Sequence, residues 1–428
     1  MSSVSEMTPT PTEQEDRAEF GQLRTFTWRS FPARSARLWA GLYLAAFFGT
    51  LLANYGISYF WNAGPASGAS ESSSLFMKDR QLFWKLRPDM DVVYSQQRIR
   101  TNHYGFRGND PLPDRRVVLC LGDSVTFGWG VEESETFPAQ LQARLNAATN
   151  SGKLWEVINA GVPSYSSFQT RLATEGLISR WKPEVVVVCT GSNDIALVEQ
   201  SDRQTNADRA MSFFGVLLEE RGLTIRDPKT AVPRCTRDEL AANLREIVRL
   251  ARSAGARPVF VGQPANLRRI DSILRDDPDA EKWQRFLEST TQVLKRQGPK
   301  KALEKIEVAL AENPGDNYYA LWVEGALLAR QHDFDRAEEL LEQAIEQDPH
   351  PIIVKRSYRQ VVAQVAREEN TPFLDTTHQF FRCSVVSPAQ PLLIDAAHPT
   401  SLGFAAIADW LFDAITGQKP AGSIKPEK

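Results

Sequence analysis

A chain of 428 residues with 42% hydrophobic content has room for more than one domain and for a sizeable core. Its formal net charge of −3 leaves no basic footprint, which argues against nucleic acid as a partner. The four cysteines (Cys120, Cys189, Cys235 and Cys383) show no metal-ligand spacing, and no cofactor is expected. Cys120 and Cys189 fall in apolar runs and read as buried thiols. Cys235 and Cys383 fall in loop-like sequence, where an oxidising compartment would let them pair.

Residues 1–35 are polar and read as a disordered cytoplasmic tail. From Leu38 to Trp61 there is no charged residue, which predicts a transmembrane helix within 36–61. Trp39, Tyr43, Tyr55, Tyr59 and Trp61 lie toward its ends, as interfacial aromatics do. Arg24, Arg29, Arg34 and Arg37 precede the span and the next basic residue is Lys78, so the amino terminus is expected in the cytoplasm and the rest outside. A bacterial inner membrane and periplasm fit this topology. A buried core helix and a cleaved signal peptide are the rival readings; the length of the span and of its leader argue against both.

A linker follows (62–78), rich in Gly, Ala and Ser up to Ser74. Extended stretches at Asp91–Tyr94 and Arg98–Asn102 read as a hairpin-like lead-in, ending in Tyr104-Gly105-Phe106-Arg107-Gly108, where His103 has a surface or packing role. An α/β alternation then begins. The predicted strands are Arg116–Leu121, Glu156–Asn159, Glu184–Thr190, Pro258–Val261 and Pro372–Leu374. The predicted helices are Phe137–Leu145, Phe168–Arg180, Asp238–Ser253, Val354–Glu369 and Ser401–Ile415. The valine-rich third strand has the pattern of a parallel strand buried on both faces. Ser201 to Pro233 is irregular, with an apolar patch at Met211–Leu218 that could shape a cleft.

The alternation is interrupted at 267–350. Ala302, Ala309 and Pro314 recur as Ala337, Ala344 and Pro349, a period of 35. With Gly325 and Phe334, these positions resemble a tetratricopeptide repeat, although Leu321, Leu328 and His332 depart from its pattern. About two helix pairs fit, fewer than the roughly three repeats that stand alone, so the insertion should lean on its host domain or on a protein partner. A plain helical hairpin is the simpler alternative.

Polar residues gather where the strands end. Gly122-Asp123-Ser124 follows the first strand and supplies a hydroxyl that is a poor nucleophile without a base. Asn159-Ala160-Gly161 ends the second, and Gly191-Ser192-Asn193-Asp194 the third. Asp395 and His398, three apart, suit a turn in which the carboxylate holds imidazole Nδ1–H and leaves Nε2 to take a proton from Ser124. Acyl transfer needs donors for the oxyanion, and Ser124 N–H, Gly161 N–H and the Asn193 amide would supply three. Asp123, Asn159 and Asp194 are supporting residues that could equally serve only to fix loops. His378 with Asp375 is a rival base pair, and His332 and His350 belong to the insertion.

These four blocks, in this order, resemble the SGNH hydrolases, or GDSL esterase/lipase superfamily, over Arg116 to Asn266 and Ile352 to Gly417. The resemblance implies a three-layer α/β/α fold with a central parallel five-stranded sheet, discontinuous over 79–266 and 351–418, with 419–428 a disordered tail. It implies Ser124 as nucleophile, His398 as base, Asp395 as its orienting acid, and Ser124, Gly161 and Asn193 as the oxyanion hole, with no metal. The expected activity is a membrane-anchored extracytoplasmic esterase acting on an O-acetyl or short acyl ester of a polysaccharide or envelope component. An O-acyltransferase with the same triad is one alternative, and a non-catalytic module recruiting partners through the insertion is another.

Overall fold

The computed structural model describes residues 75–418 apart from 95, 151, 212–230, 269–279, 313–317, 349–352 and 387–390. The expected membrane span, both tails, most of the linker, most of the 211–218 patch, Pro314, Pro349 and His350 lie outside the described residues. Among the described residues no helix is long and apolar enough to cross a membrane.

The lead-in is two antiparallel hairpins. β1 (Phe76–Asp79) pairs with β2 (Phe83–Leu86), and β3 (Asp91–Tyr94) with β4 (Gln97–Arg100). Only the second hairpin is legible as alternating extended sequence. Then come β5 (Arg116–Gly122), a one-turn α1 (Ser124–Phe127), α2 (Phe137–Ala147), β6 (Trp155–Gly161), α3 (Ser167–Trp181) and β7 (Val185–Cys189). A short antiparallel pair, β8 (Leu197–Val198) with β9 (Val232–Pro233), flanks α4 (Asp202–Met211). After α5 (Arg237–Ser253) and β10 (Arg257–Val261) the inserted helices are α6 (Ala280–Gln297), α7 (Pro299–Glu312), α8 (Tyr318–Arg330) and α9 (Phe334–Gln347). The chain closes with α10 (Arg356–Glu368), β11 (Phe373–Leu374), α11 (Thr376–Val386) and α12 (Ser401–Thr416).

Five strands form one parallel sheet in the order β11-β10-β7-β5-β6. Strand period fixes which side each residue serves. Leu119, Leu121, Ile158, Val186, Val188 and Phe260 share a core with α3 and α5. Their alternates Val118, Cys120, Val157, Val187, Val259 and Val261 share another with α2 and α12. Burial on both faces is why β7 carries an unbroken valine run, every residue of which is buried. The outcome is the three-layer α/β/α arrangement. Helix starts are set locally: Ser166 with Gln169, and Thr236 with Glu239, form capping boxes on α3 and α5.

The insertion is two helical hairpins, and its likeness to a tetratricopeptide repeat rests on the sequence alone. A Cβ on Gly325 would lie 2.8 Å from Leu341 Cγ, so the small residue sets how closely α8 and α9 approach. The insertion leans on its host. α8 shares the core of the α3/α5 face, and Trp322 Nε1 donates to Leu267 O at 3.0 Å. The buried pair Arg359–Glu342 ties α10 to α9. All four cysteines are free thiols. Cys235 packs with Phe83 and Phe168 and Cys383 against the α2/α12 core, so the pairing envisaged for them does not form.

Candidate active site

β5 ends at Gly122 with φ +151°, and a Cβ there would lie 1.9 Å from Cys189 O on β7. Only glycine lets the chain turn this close to its neighbouring strand. Asp123 follows as the N-cap of α1, with Oδ1 accepting from Val125 N at 3.0 Å. Its other oxygen accepts from Ser192 Oγ (2.8 Å), Gln263 Nε2 (2.8 Å) and Asn193 Nδ2 (3.3 Å). Complete burial raises the Asp123 pKa, and the Ser192, Val125 and Gln263 donors work against that rise. Asp123 thus ties the ends of β5, β7 and β10 together and holds Ser124 at the first position of α1.

The segment after Leu392 folds into a tight loop closed by Ile394 N to His398 O (2.8 Å) and Thr400 N to Leu392 O (2.9 Å). At its tip Asp395 Oδ1 accepts from Ala397 N (2.9 Å) and His398 N (2.8 Å). Asp395 Oδ2 lies 2.7 Å from His398 Nδ1, and His398 Nε2 lies 2.8 Å from Ser124 Oγ. The Asp395/His398 turn and Ser124, 274 residues before His398, therefore form one hydrogen-bonded line. Burial pushes the Asp395 carboxyl up. The His398 hydrogen bond and charge, with the two backbone N–H groups, outweigh it and bring the group down to about 2. A carboxylate so held keeps Nδ1 protonated and Nε2 free to accept.

Asn193 opens a single turn of 3₁₀ helix after β7, and its Nδ2 lies 3.0 Å from Tyr165 O as well as 3.3 Å from Asp123. Gly161 is used differently from the expectation. Its N–H is 3.2 Å from Asn159 Oδ1, and a Cβ would lie 2.3 Å from Phe127 N, so the glycine makes room for α1. Asn159 also donates to Phe127 O at 3.2 Å, and buried Asp194 accepts from Ser167 N (2.7 Å) and Ser167 Oγ. Both fix loops. His378, the rival base, is exposed and pairs with Glu338 at 2.8 Å; Asp375 only receives its backbone N–H. His103 is exposed beside Asp89. Among the described residues no three His, Cys, Asp or Glu side chains cluster to hold a metal ion.

Four contributors were not legible in the sequence. Gln263, just past β10, is a buried donor to Asp123. Asn266 holds the base-bearing loop through Ala396 O (2.8 Å) and Asp395 O (3.1 Å). The Trp129 ring lies 5.9 Å from the His398 ring. Arg107, 4% exposed, donates to Phe127 O (2.9 Å), Gly128 O (2.6 Å) and Val131 O (2.7 Å), closing the carboxyl end of α1. The position of Gln263 and Asn266 at a strand end was the one available signal; Arg107 and Trp129 carried none.

Residues 120–326 match the model of the GDSL-like lipase/acylhydrolase family. The chain is accordingly a serine hydrolase acting on ester bonds. The match contains Ser124, Gly161 and Asn193 and stops short of Asp395 and His398, which the fold returns to Ser124. No curated protein matches the chain. Among solved structures, the chain is similar to the acetylxylan esterase Axe2 from Geobacillus stearothermophilus, with 14% identity and TM-score 0.36 over 73% of this chain and 100% of that one. It is also similar to the acetyl xylan esterase AlAXEase (13%, 0.37, covering 70% and 99%) and to TesA (16%, 0.33, covering 70% and 98%).

Proposed function

We propose that this chain is a membrane-anchored serine esterase acting outside the cytoplasm, removing an O-acetyl or other short acyl group from a polysaccharide or envelope component. The observation that carries the reading is the line Asp395–His398–Ser124, with spacings of 2.7 and 2.8 Å. Ser124 Oγ attacks the ester carbonyl while His398 Nε2 takes its proton. The oxyanion forms beside the amino end of α1, where helix N–H groups lack intrahelical acceptors, and beside the Asn193 amide. For Asn193 to donate, its longer contact to Asp123 gives way. Collapse expels the alkoxide, which takes the proton from Nε2, and water repeats the sequence on the acyl-enzyme. The uncharged stretch Leu38–Trp61 supports the anchor, and the substrate follows from that location.

A fluorophosphonate probe should label Ser124, and Ser124→Ala should lower p-nitrophenyl acetate turnover by at least about 10³-fold. Unlabelled Ser124, or turnover retained in Ser124→Ala, would sink the proposal.

A further inference from the structure

The inserted helices form a half-open cavity of about 220 Å³ between α6, α7 and α8. It is larger than the ~150 Å³ apolar cavity that suffices to bind benzene. Most of its wall is apolar, from Leu287, Leu294, Val323 and Ala326 among others. Two features set it apart from a packing gap. Thr290 lines it, is 3% exposed, and has a buried Oγ1 with no hydrogen-bond partner. Buried polar groups are normally satisfied, so an orphaned hydroxyl in a cavity wall points to a missing polar group. Arg330, in the last turn of α8, is solvent-exposed and lines the cavity too, and among the described residues it has no carboxylate partner. An apolar chamber with hydroxyls in its wall and a solvent-exposed guanidinium on its lining suits a small molecule with a hydrocarbon body and a single anionic head.

We infer that this cavity binds a small aliphatic monocarboxylate, its carboxylate met by Arg330 and the Thr290 and Thr291 hydroxyls, its chain filling the apolar part. The cavity is wired to the hydrolase domain. Trp322, another wall residue, donates to Leu267 O at 3.0 Å. The adjacent Asn266 holds Ala396 and Asp395, and Asp395 holds His398. Occupation of the cavity is therefore transmitted to the base. This transmission rests on the proposed esterase reading; the binding does not.

Octanoate titrated calorimetrically into the full chain should bind saturably with a submillimolar Kd, and equally well to Ser124→Ala. Octanol should bind at least tenfold more weakly, as should octanoate to Arg330→Gln and to the isosteric Thr290→Val. Ala326→Phe, which fills the chamber, should abolish binding. Octanoate should change p-nitrophenyl acetate kcat/KM at least twofold, and Trp322→Phe should keep the binding and lose that change. Absence of saturable binding, or binding indifferent to these cavity substitutions, overturns the site. Binding that leaves the turnover of an active enzyme unchanged overturns the transmission. A chain inactive on esters would refute the esterase, while the Ser124→Ala titration would still decide the site.

Discussion

Replacing Arg107 with Met tests whether the lead-in segment is part of the active-site scaffold. Methionine keeps much of the apolar stem and removes the guanidinium that caps α1. Phe127 O retains a second donor, Asn159 Nδ2 at 3.2 Å, whereas Gly128 O and Val131 O lose the bonds that Arg107 gives them. Two carbonyls stripped of a partner cost about 1–3 kcal/mol each, or about 2–6 kcal/mol together. Burial has already pushed the Arg107 guanidinium down to about 10, so part of its hydrogen-bond energy offsets its own desolvation. The expected loss is therefore near the lower end, about 2–3 kcal/mol, measured by urea unfolding followed by circular dichroism. The loosened stretch includes Trp129, which packs on His398, so kcat/KM for p-nitrophenyl acetate should also fall, by about 10- to 100-fold. Stability within about 0.5 kcal/mol of the parent, together with unchanged kcat/KM, would refute the reasoning.

Ser164 has φ +66°, where a non-glycine residue is strained by about 1–2 kcal/mol, while glycine forfeits about 0.4–1 kcal/mol of chain entropy. Ser164→Gly should thus raise Tm by about 1–3 °C, and a lower Tm would contradict it. Burial raises the Asp194 carboxyl to about 7, with the Ser167 bonds opposing the rise. A raised acid contributes stability below its ordinary value of 3.8 and loses it as pH climbs through about 7. The stability of the parent relative to Asp194→Asn should decline over that window, and a pH-independent difference would count against it. Asp395 has the opposite sign. Its contribution is present above 3.8 and disappears as pH falls through about 2, so Asp395→Asn should cost stability at pH 6 and none near pH 2, as read from urea midpoints. Adding an oligosaccharide acceptor should leave release of the acyl group dominant over its transfer; dominant transfer would reassign the enzyme as an acyltransferase.

The layered sheet was legible because its signals are local. Runs such as Val185–Val188 can be used only by strands covered on both faces, and Thr236 or Thr400 mark helix starts within three residues. α11 was not, because its start is fixed from afar: Thr376 Oγ1 donates to Gly262 O at 2.6 Å and Thr377 Oγ1 to Gln263 O at 2.9 Å. Two β-branched threonines beside Asp375 otherwise read as loop. The same division runs through the site. Ser124, Asp395 and His398 were recoverable because their chemistry demands particular residue types. Gly161 was recoverable as a glycine but not in its use, since what it accommodates is the backbone of α1, 34 residues earlier in the chain at Phe127.

Asp123 shows why the chemistry sits at this end of the sheet and why an insertion there is consequential. A single buried carboxylate receives donors from beyond three strands: Val125 after β5, Ser192 and Asn193 after β7, and Gln263 after β10. Each of the three strand ends delivers at least one donor, so the carboxylate that caps the nucleophile's helix also sets the relative positions of the strand ends. The inserted helices leave the domain just beyond Leu267, four residues after Gln263 and one after Asn266. An element attached to the opposite edge could move without reaching the site. Attached here, any displacement of Leu267 acts at once on the residue that fixes Asp123 and on the residue that fixes Asp395, and hence on both ends of the Ser124–His398 hydrogen bond.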